Sequence, residues 1–215
     1  MPDEQEFVTG LEGVPASEDD VAAVLAAEAG APEADLDTIA RSVAAHAGAF
    51  VATVGQIASR TAPEATFPVL LLATSDLLAS GARLGAMVDV VPPLRYEPDT
   101  GPDADLDTLR IGLAEALEGF DEYAEVVDPV LGEEVGRASL SGDLATVTAA
   151  LQQGLAHYDA GDVLEALWWW QFSYLSSWGE RASSALRMLQ LVLCHIRLDV
   201  EDDVAAEAEY DALQA

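Results

Sequence analysis

The residue types best suited to nucleophilic, acid–base or metal chemistry are scarce in this chain: three histidines, His46, His157 and His195, and one cysteine, Cys194. The histidines stand far apart in sequence, and none belongs to an HExxH pair or to another spacing that sets two ligands on one helical face. Each reads as an ordinary surface or packing side chain. Cys194 beside His195 offers a thiol next to a base, yet neighbouring helical residues point about 100° apart, beyond the hydrogen-bond reach that such a dyad needs. A lone cysteine also excludes an intrachain disulfide and a thiolate zinc cluster. "DADLD" at 103–107 imitates the alternate acids of a calcium loop. It lacks the glycine at the sixth place and carries Ala114 where the bidentate Glu belongs, so a helix cap is the better reading. Glu133 with Glu134, and Asp121 with Glu122 and Glu125, are acid groupings of the kind that arise by chance among 39 acidic residues. There is no P-loop, GxGxxG, GxSxG or di-iron ExxH pattern. No catalytic, metal or cofactor-binding residue follows, and no cofactor is implied.

Two other groupings are suited to binding. The Pro-rich stretch "VDVVPPLRYEPDTGPDADLD" ends at Asp107 and is long for a connection inside a compact domain, and such loops are often functional. Its Arg95, Tyr96, Asp99 and Asp103, with Tyr174 and Trp178, form a candidate pocket beneath the 92–107 loop. The second grouping is "EALWWWQFSYLSSWGERASSALRMLQ" at 165–190, which holds all four tryptophans. Leu164, Leu167, Gln171, Tyr174, Trp178, Ala182, Ala185, Leu189, Val192 and Ile196 recur at helical spacing and predict a core-facing stripe. Trp168 and Trp170 flank it. Trp169 falls with Glu165, Phe172, Ser173, Ser176 and Glu180 on the otherwise polar side.

Burying a tryptophan removes roughly 200 Å² from water, about 5 kcal/mol as an upper bound. Either a further layer of the bundle or a partner must therefore cover that side, and Trp169, Phe172, Ser173 and Ser176 form the candidate interaction surface. A straight helix over 162–198 would measure about 55 Å, against a domain roughly 45 Å across, and Gly179 is the natural place for a bend.

The remaining elements follow from caps and periodicity. Residues 1–16 read as an acidic arm, and Ser17 with Glu18, Asp19 and Asp20 starts a short helix that stops near Gly30. A helix runs from Leu36 to about Arg60, and Pro68 opens the next, whose apolar face is Leu71, Leu72, Leu78 and Leu84. Asp105 or Asp107 caps a helix bearing Leu109, Leu113, Leu117 and Phe120 that continues towards Asp128 and Pro129. Ser141 or Asp143 opens another, ended by "DAGD", and Asp162 caps the tryptophan helix. The shared "ADLDT" at 34–38 and 104–108 reads as two independent helix starts. These elements predict an all-α fold, a single-domain bundle of about six helices over 17–198, with 199–215 an acidic tail able to form a helical turn or two.

The formal net charge is -30, and all nine basic residues are arginines. That field repels a phosphate backbone or an anionic membrane and attracts a basic protein. The N-terminus lacks the basic-then-apolar order of a signal peptide, and Asp76 interrupts the apolar run "FPVLLLATSDLLASG", so a cytoplasmic chain is expected.

"ALWWWQFSYLSSWG" followed by "RASSALRMLQ", with "FPVLLLATSDLLASGARLG" and "RYEPDTGPDADLD", resembles the actinobacterial branch of a bacterial family defined only as a domain of unknown function. The resemblance spans roughly residues 36–198 and implies a helical domain without an assigned activity. Where the wider family has a His before the Trp-Gly pair, this chain has Ser177. The expectation is a non-enzymatic interaction module with a protein partner, possible self-association as a homodimer, and no direct nucleic-acid contact. The alternatives are a ligand-binding or enzymatic bundle with its pocket under the 92–107 loop, and an acidic DNA mimic bearing two rows of carboxylates.

Overall fold

The computed structural model describes residues 33–60, 65–87, 89–92, 106–126, 130 and 132–214, with side chains from Leu36 to Leu198. The 1–16 arm, the helix expected from Ser17, and Arg95, Tyr96, Asp99 and Asp103 lie outside the described residues. In order along the chain come α1 (Glu33–Ala58), α2 (Thr66–Ala86), α3 (Asp107–Ala116), β1 (Glu122–Val126), β2 (Val135–Ser139), α4 (Leu140–Ala160) and α5 (Val163–Ser173). A π turn (Tyr174–Trp178) then leads without a break into α6 (Gly179–Gln214). The fold is an all-α bundle carrying one small antiparallel hairpin.

α1 is the central helix because its apolar positions come every third or fourth residue: Ala40, Val43, Ala47, Phe50, Val54 and Ile57 are all buried. It packs against α2, α3 and α4, while α4 also touches α3, α5 and α6. By length and composition α2 could cross a membrane, yet it is built into this core through Leu70, Thr74, Leu77, Gly81 and Leu84. That stripe corrects the expected face. Leu84 is shared, Leu71 and Leu78 are half-buried, and Leu72 is 64% exposed. Glycine stands at 81 because the rings of Tyr174 and Trp178 lie against it, and Tyr174 reaches Gly85 as well.

The helix expected to run towards Pro129 stops at Ala116. Gly119 takes a left-handed φ of 87°, a conformation that costs glycine little, and the chain turns into β1. Tyr123 and the valines after it suit a strand better than a helix. Tyr123 faces Ala138 across the hairpin and is the one buried residue of β1. Phe120, expected on the helix, instead meets Phe67 edge-on at 5.5 Å.

The start of α4 also differs from expectation. Its N-cap is Ser139, whose Oγ accepts from the Gly142 N–H at 3.1 Å, while the Asp121 carboxylate accepts from the Ser141 N–H at 2.7 Å and from its hydroxyl at 2.8 Å. Ser141 and Asp143 are therefore buried first-turn residues and not caps. Gly161, at φ 91°, closes the helix. The two "ADLDT" helices differ in length, 26 residues for α1 and 10 for α3.

Along α5, the π turn and α6, the stripe from Leu167 through Gln171, Trp178, Ala182, Ala185 and Leu189 to Val192 is buried, whereas Leu164 and Ile196 at its ends are exposed. Trp170 is fully buried on α4, where a Cβ placed on Gly154 would run into its indole ring. Gly154→Ala is accordingly expected to destabilise the fold by about 1–3 kcal/mol through overpacking. Gly48→Ala, in the middle of α1 with open space around its Cβ, should stabilise by about 0.5–1 kcal/mol through helix propensity. Urea denaturation of the two variants measures both, and opposite signs are the expected result.

Candidate functional site

Three consecutive tryptophans on one helix spread over about 200° of its circumference, so all three cannot lie against one neighbour. Trp170 goes into the core. Trp169, placed on the polar side by its spacing, is half-buried, and its Nε1 donates to the Ala150 carbonyl of α4 at 2.9 Å. Trp168 turns the other way and stacks on Phe172, centroids 5.4 Å apart and planes within 7°. Beyond them the apolar surface continues: Phe172 is 51% exposed, Leu175 62% and Val91 57%. Together with Val90, Gln171, Ser176 and Asp89 these side chains line a groove of about 300 Å³.

Of the expected interaction surface, Phe172 and Ser176 line this groove. Trp169 does not, and Ser173 is buried, its hydroxyl donating to the Trp169 carbonyl at 2.6 Å. The floor is held by Gln171, a buried amide. Its Oε1 accepts from the Val90 N–H at 2.8 Å and its Nε2 donates to the Leu84 carbonyl at 2.8 Å. A polar residue in the middle of an apolar stripe is thus explained by the end of α2, whose carbonyls need donors.

Of the candidate pocket residues, Tyr174 and Trp178 meet edge-on at 4.8 Å and pack on α2. Trp178 is buried and its Nε1 has no hydrogen-bond partner among the described residues. The remaining four lie outside the described residues. His46 bonds to the Ser42 carbonyl of its own helix, His157 is buried at the end of α4, and Cys194 and His195 are exposed.

A second concavity, of about 530 Å³, lies between the hairpin, the first turns of α3 and α4, and α6. Its wall contains a buried acid. Asp143, 2% exposed, accepts from the Tyr123 hydroxyl at 2.6 Å through Oδ2 and from the Arg181 guanidinium at 2.9 Å through Oδ1. Burial raises its pKa above the usual carboxylate value, and the Tyr123 and Arg181 hydrogen bonds pull the other way without cancelling that. Burial, and then the carboxylate itself, push the Tyr123 hydroxyl well above the usual tyrosine value. Tyr123 is therefore a fixed donor. Nothing in the spacing marked this site, since Tyr123, Asp143 and Arg181 come from three separate elements; the signal that existed was an Asp set among the apolar residues Leu140, Leu144 and Val147.

The fold and these two concavities define an all-helical bundle with a β-hairpin at one end and no recognisable motif of known chemistry. The family described as "Domain of unknown function (DUF5063)" matches residues 34–195, and the chain belongs to that family. Its fold is similar to the crystal structure of protein BF1032 from Bacteroides fragilis, at 19% sequence identity and a TM-score of 0.59, with 70% of this chain and 89% of that chain covered. At that identity the likeness is one of fold. No curated protein matches the chain.

Removing the Tyr123 hydroxyl takes a donor from a buried carboxylate while leaving the ring packed. Tyr123→Phe should cost about 2 kcal/mol at pH 7. The sign with pH follows from linkage. Asp143 has a folded pKa above its unfolded one, so its contribution is most favourable below pH about 4 and declines as pH rises through the folded value. The variant raises that value further, so the cost of Tyr123→Phe should shrink as Asp143 is protonated. Urea midpoints at pH 7 and pH 4.5 check this; an equal cost at both would mean that Asp143 is not the acceptor that matters.

Proposed function

We propose that this chain is a non-enzymatic interaction module, and that the groove formed by Trp168, Phe172, Leu175 and Val91 takes a basic, amphipathic segment of a partner protein. One observation carries the reading: four large apolar side chains from two parts of the chain converge on one exposed groove, whereas isolated exposed apolar residues need no explanation. Aromatic residues are the usual anchors of such contacts. Charge selects the occupant. Among the described residues the one ionisable group lining the groove is Asp89, in a chain of net charge -30, so a cationic segment with an apolar face suits both the groove and the field around it. A cytoplasmic setting, the absence of nucleic-acid contact and the absence of a cofactor belong to the same reading.

The double variant Phe172→Ser, Leu175→Ser removes the apolar anchors from exposed positions and keeps the net charge. A synthetic Leu/Arg amphipathic helical peptide, titrated against the chain and followed by tryptophan fluorescence, should bind the wild type and lose at least tenfold in affinity on the variant, since each apolar side chain is worth about 1.5–3 kcal/mol when buried. Equal binding by both would reduce the interaction to charge alone and remove the groove. Light scattering on the same samples is expected to give a monomer; a dimer broken by the double variant would make the occupant a second copy.

A further inference from the structure

Twelve of the described residues line the cavity between the hairpin and the helices, and Arg110, Arg137 and Arg181 are among them. That is three of the nine cationic side chains in a chain of 215 residues, where a proportionate share would be less than one. The carboxylates in the lining, Glu122, Glu125 and Asp143, are by contrast about as many as twelve residues of so acidic a chain would supply. The arginines arrive from α3, β2 and α6, so no local sequence pattern groups them; the tertiary fold does.

Their hydrogen-bonding capacity is largely unspent. A guanidinium has five N–H donors. Arg181 uses Nη1 on Asp143, and Arg110 uses Nη2 on Asp107 at 2.7 Å. Arg137, exposed on β2, pairs with no carboxylate among the described residues, although the chain holds 39 acids. The first backbone N–H groups of α4 are already taken by Asp121 and Ser139, so any anion here is held by side chains. Ser139 is engaged as an acceptor, which leaves its hydroxyl proton for a ligand.

We infer that this cavity binds a small organic phosphate, its dianionic group held by Arg110, Arg137 and Arg181 and its hydroxyl groups donating to Glu122 and Glu125. Planar guanidinium forks match phosphate oxygens in pairs, and three of them suit a dianion better than a single carboxylate. The carboxylates on the hairpin give the rest of the ligand acceptors and disfavour a bare polyanion. A volume of about 530 Å³ is within the range of small-molecule sites. The site shares no lining residue with the aromatic groove, so the two readings stand or fall separately.

Isothermal titration with glucose 6-phosphate, inorganic phosphate and citrate tests the inference. Saturable binding of glucose 6-phosphate, tighter than that of inorganic phosphate, is expected. Arg137→Ala, at an exposed position that holds no other group, should weaken it about tenfold or more, and Arg41→Ala, outside the cavity, should leave it unchanged; circular dichroism confirms that each variant is folded, and Arg137→Gln replaces Arg137→Ala if that one is not. Glu122→Gln with Glu125→Gln should erase the preference for the sugar phosphate over inorganic phosphate. Citrate binding in place of the phosphates would overturn the phosphate assignment. No saturable binding of any of the three at millimolar concentration, or undiminished binding by the Arg137 variants, would overturn the site.

Discussion

The bundle is organised by large rings seated on glycines. Trp170 lies against Gly154 of α4, and Tyr174 and Trp178 lie against Gly81 of α2. A side chain at any of these glycines would meet the ring, so the glycines set how closely α5 and the π turn approach the helices on either side. Each ring removes roughly 150–250 Å² from water, the largest contribution that single residues of this fold can make. The segment is thereby wedged between α4 and α2, and among the described residues no helix lies against the side that carries Trp168, Phe172 and Leu175. The exposed groove is thus the geometric remainder of an arrangement that satisfies the other two faces, and it is stiff because the same segment is anchored twice.

The opposite end is held by polarity. The hairpin buries little apolar surface apart from Tyr123, and a two-stranded hairpin is not stable by itself. The Tyr123 hydroxyl on Asp143, and the Asp121 carboxylate on the first turn of α4, fasten it to the bundle. A buried carboxylate is costly, and only the donors of Tyr123 and Arg181 make it tolerable. Replacing such a group by a hydrophobic residue is often neutral for stability, so retaining it buys position: it orients Arg181 at the cavity wall and fixes the hairpin that carries Arg137.

Periodicity made α1, α4, the course of α5 through α6 and most of their buried stripe legible from residues alone. The exposed ends at Leu164 and Ile196 were not, because a period shows which way a side chain faces and not how far the neighbouring helices extend. The face of α2 was displaced for a different reason. Leucines are its largest apolar residues, but Tyr174 and Trp178, about a hundred residues away, require small side chains facing them, and Gly81 and Gly85 answer that need. The hairpin was hidden by the strong helix start at Asp107, since the stop depends on one left-handed glycine. The π turn leaves no mark either, because a 3.6-residue period already contains successive steps of four. In the aromatic surface, Phe172 and Ser176 could be placed by helical angle, but Trp169 could not, as its indole reaches sideways to a carbonyl on α4. The arginine cavity was illegible in principle: nothing links residues 110, 137 and 181 before the chain is folded.

The charge of the chain acts differently on the two concavities. At physiological ionic strength the screening length is about 8 Å, so most of the 39 carboxylates are not felt by a ligand seated among guanidinium groups. Close, paired hydrogen bonds then decide whether an anion binds, and the net charge acts as a repulsion that grows as salt is withdrawn. For a cationic segment approaching the aromatic groove the same field is attractive and grows in the same direction. Salt thus opposes one association and assists the other. A chain that carries three of its nine arginines on the wall of one cavity, and exposed aromatic rings beside Asp89 in another, separates by electrostatics what it admits from what it attracts.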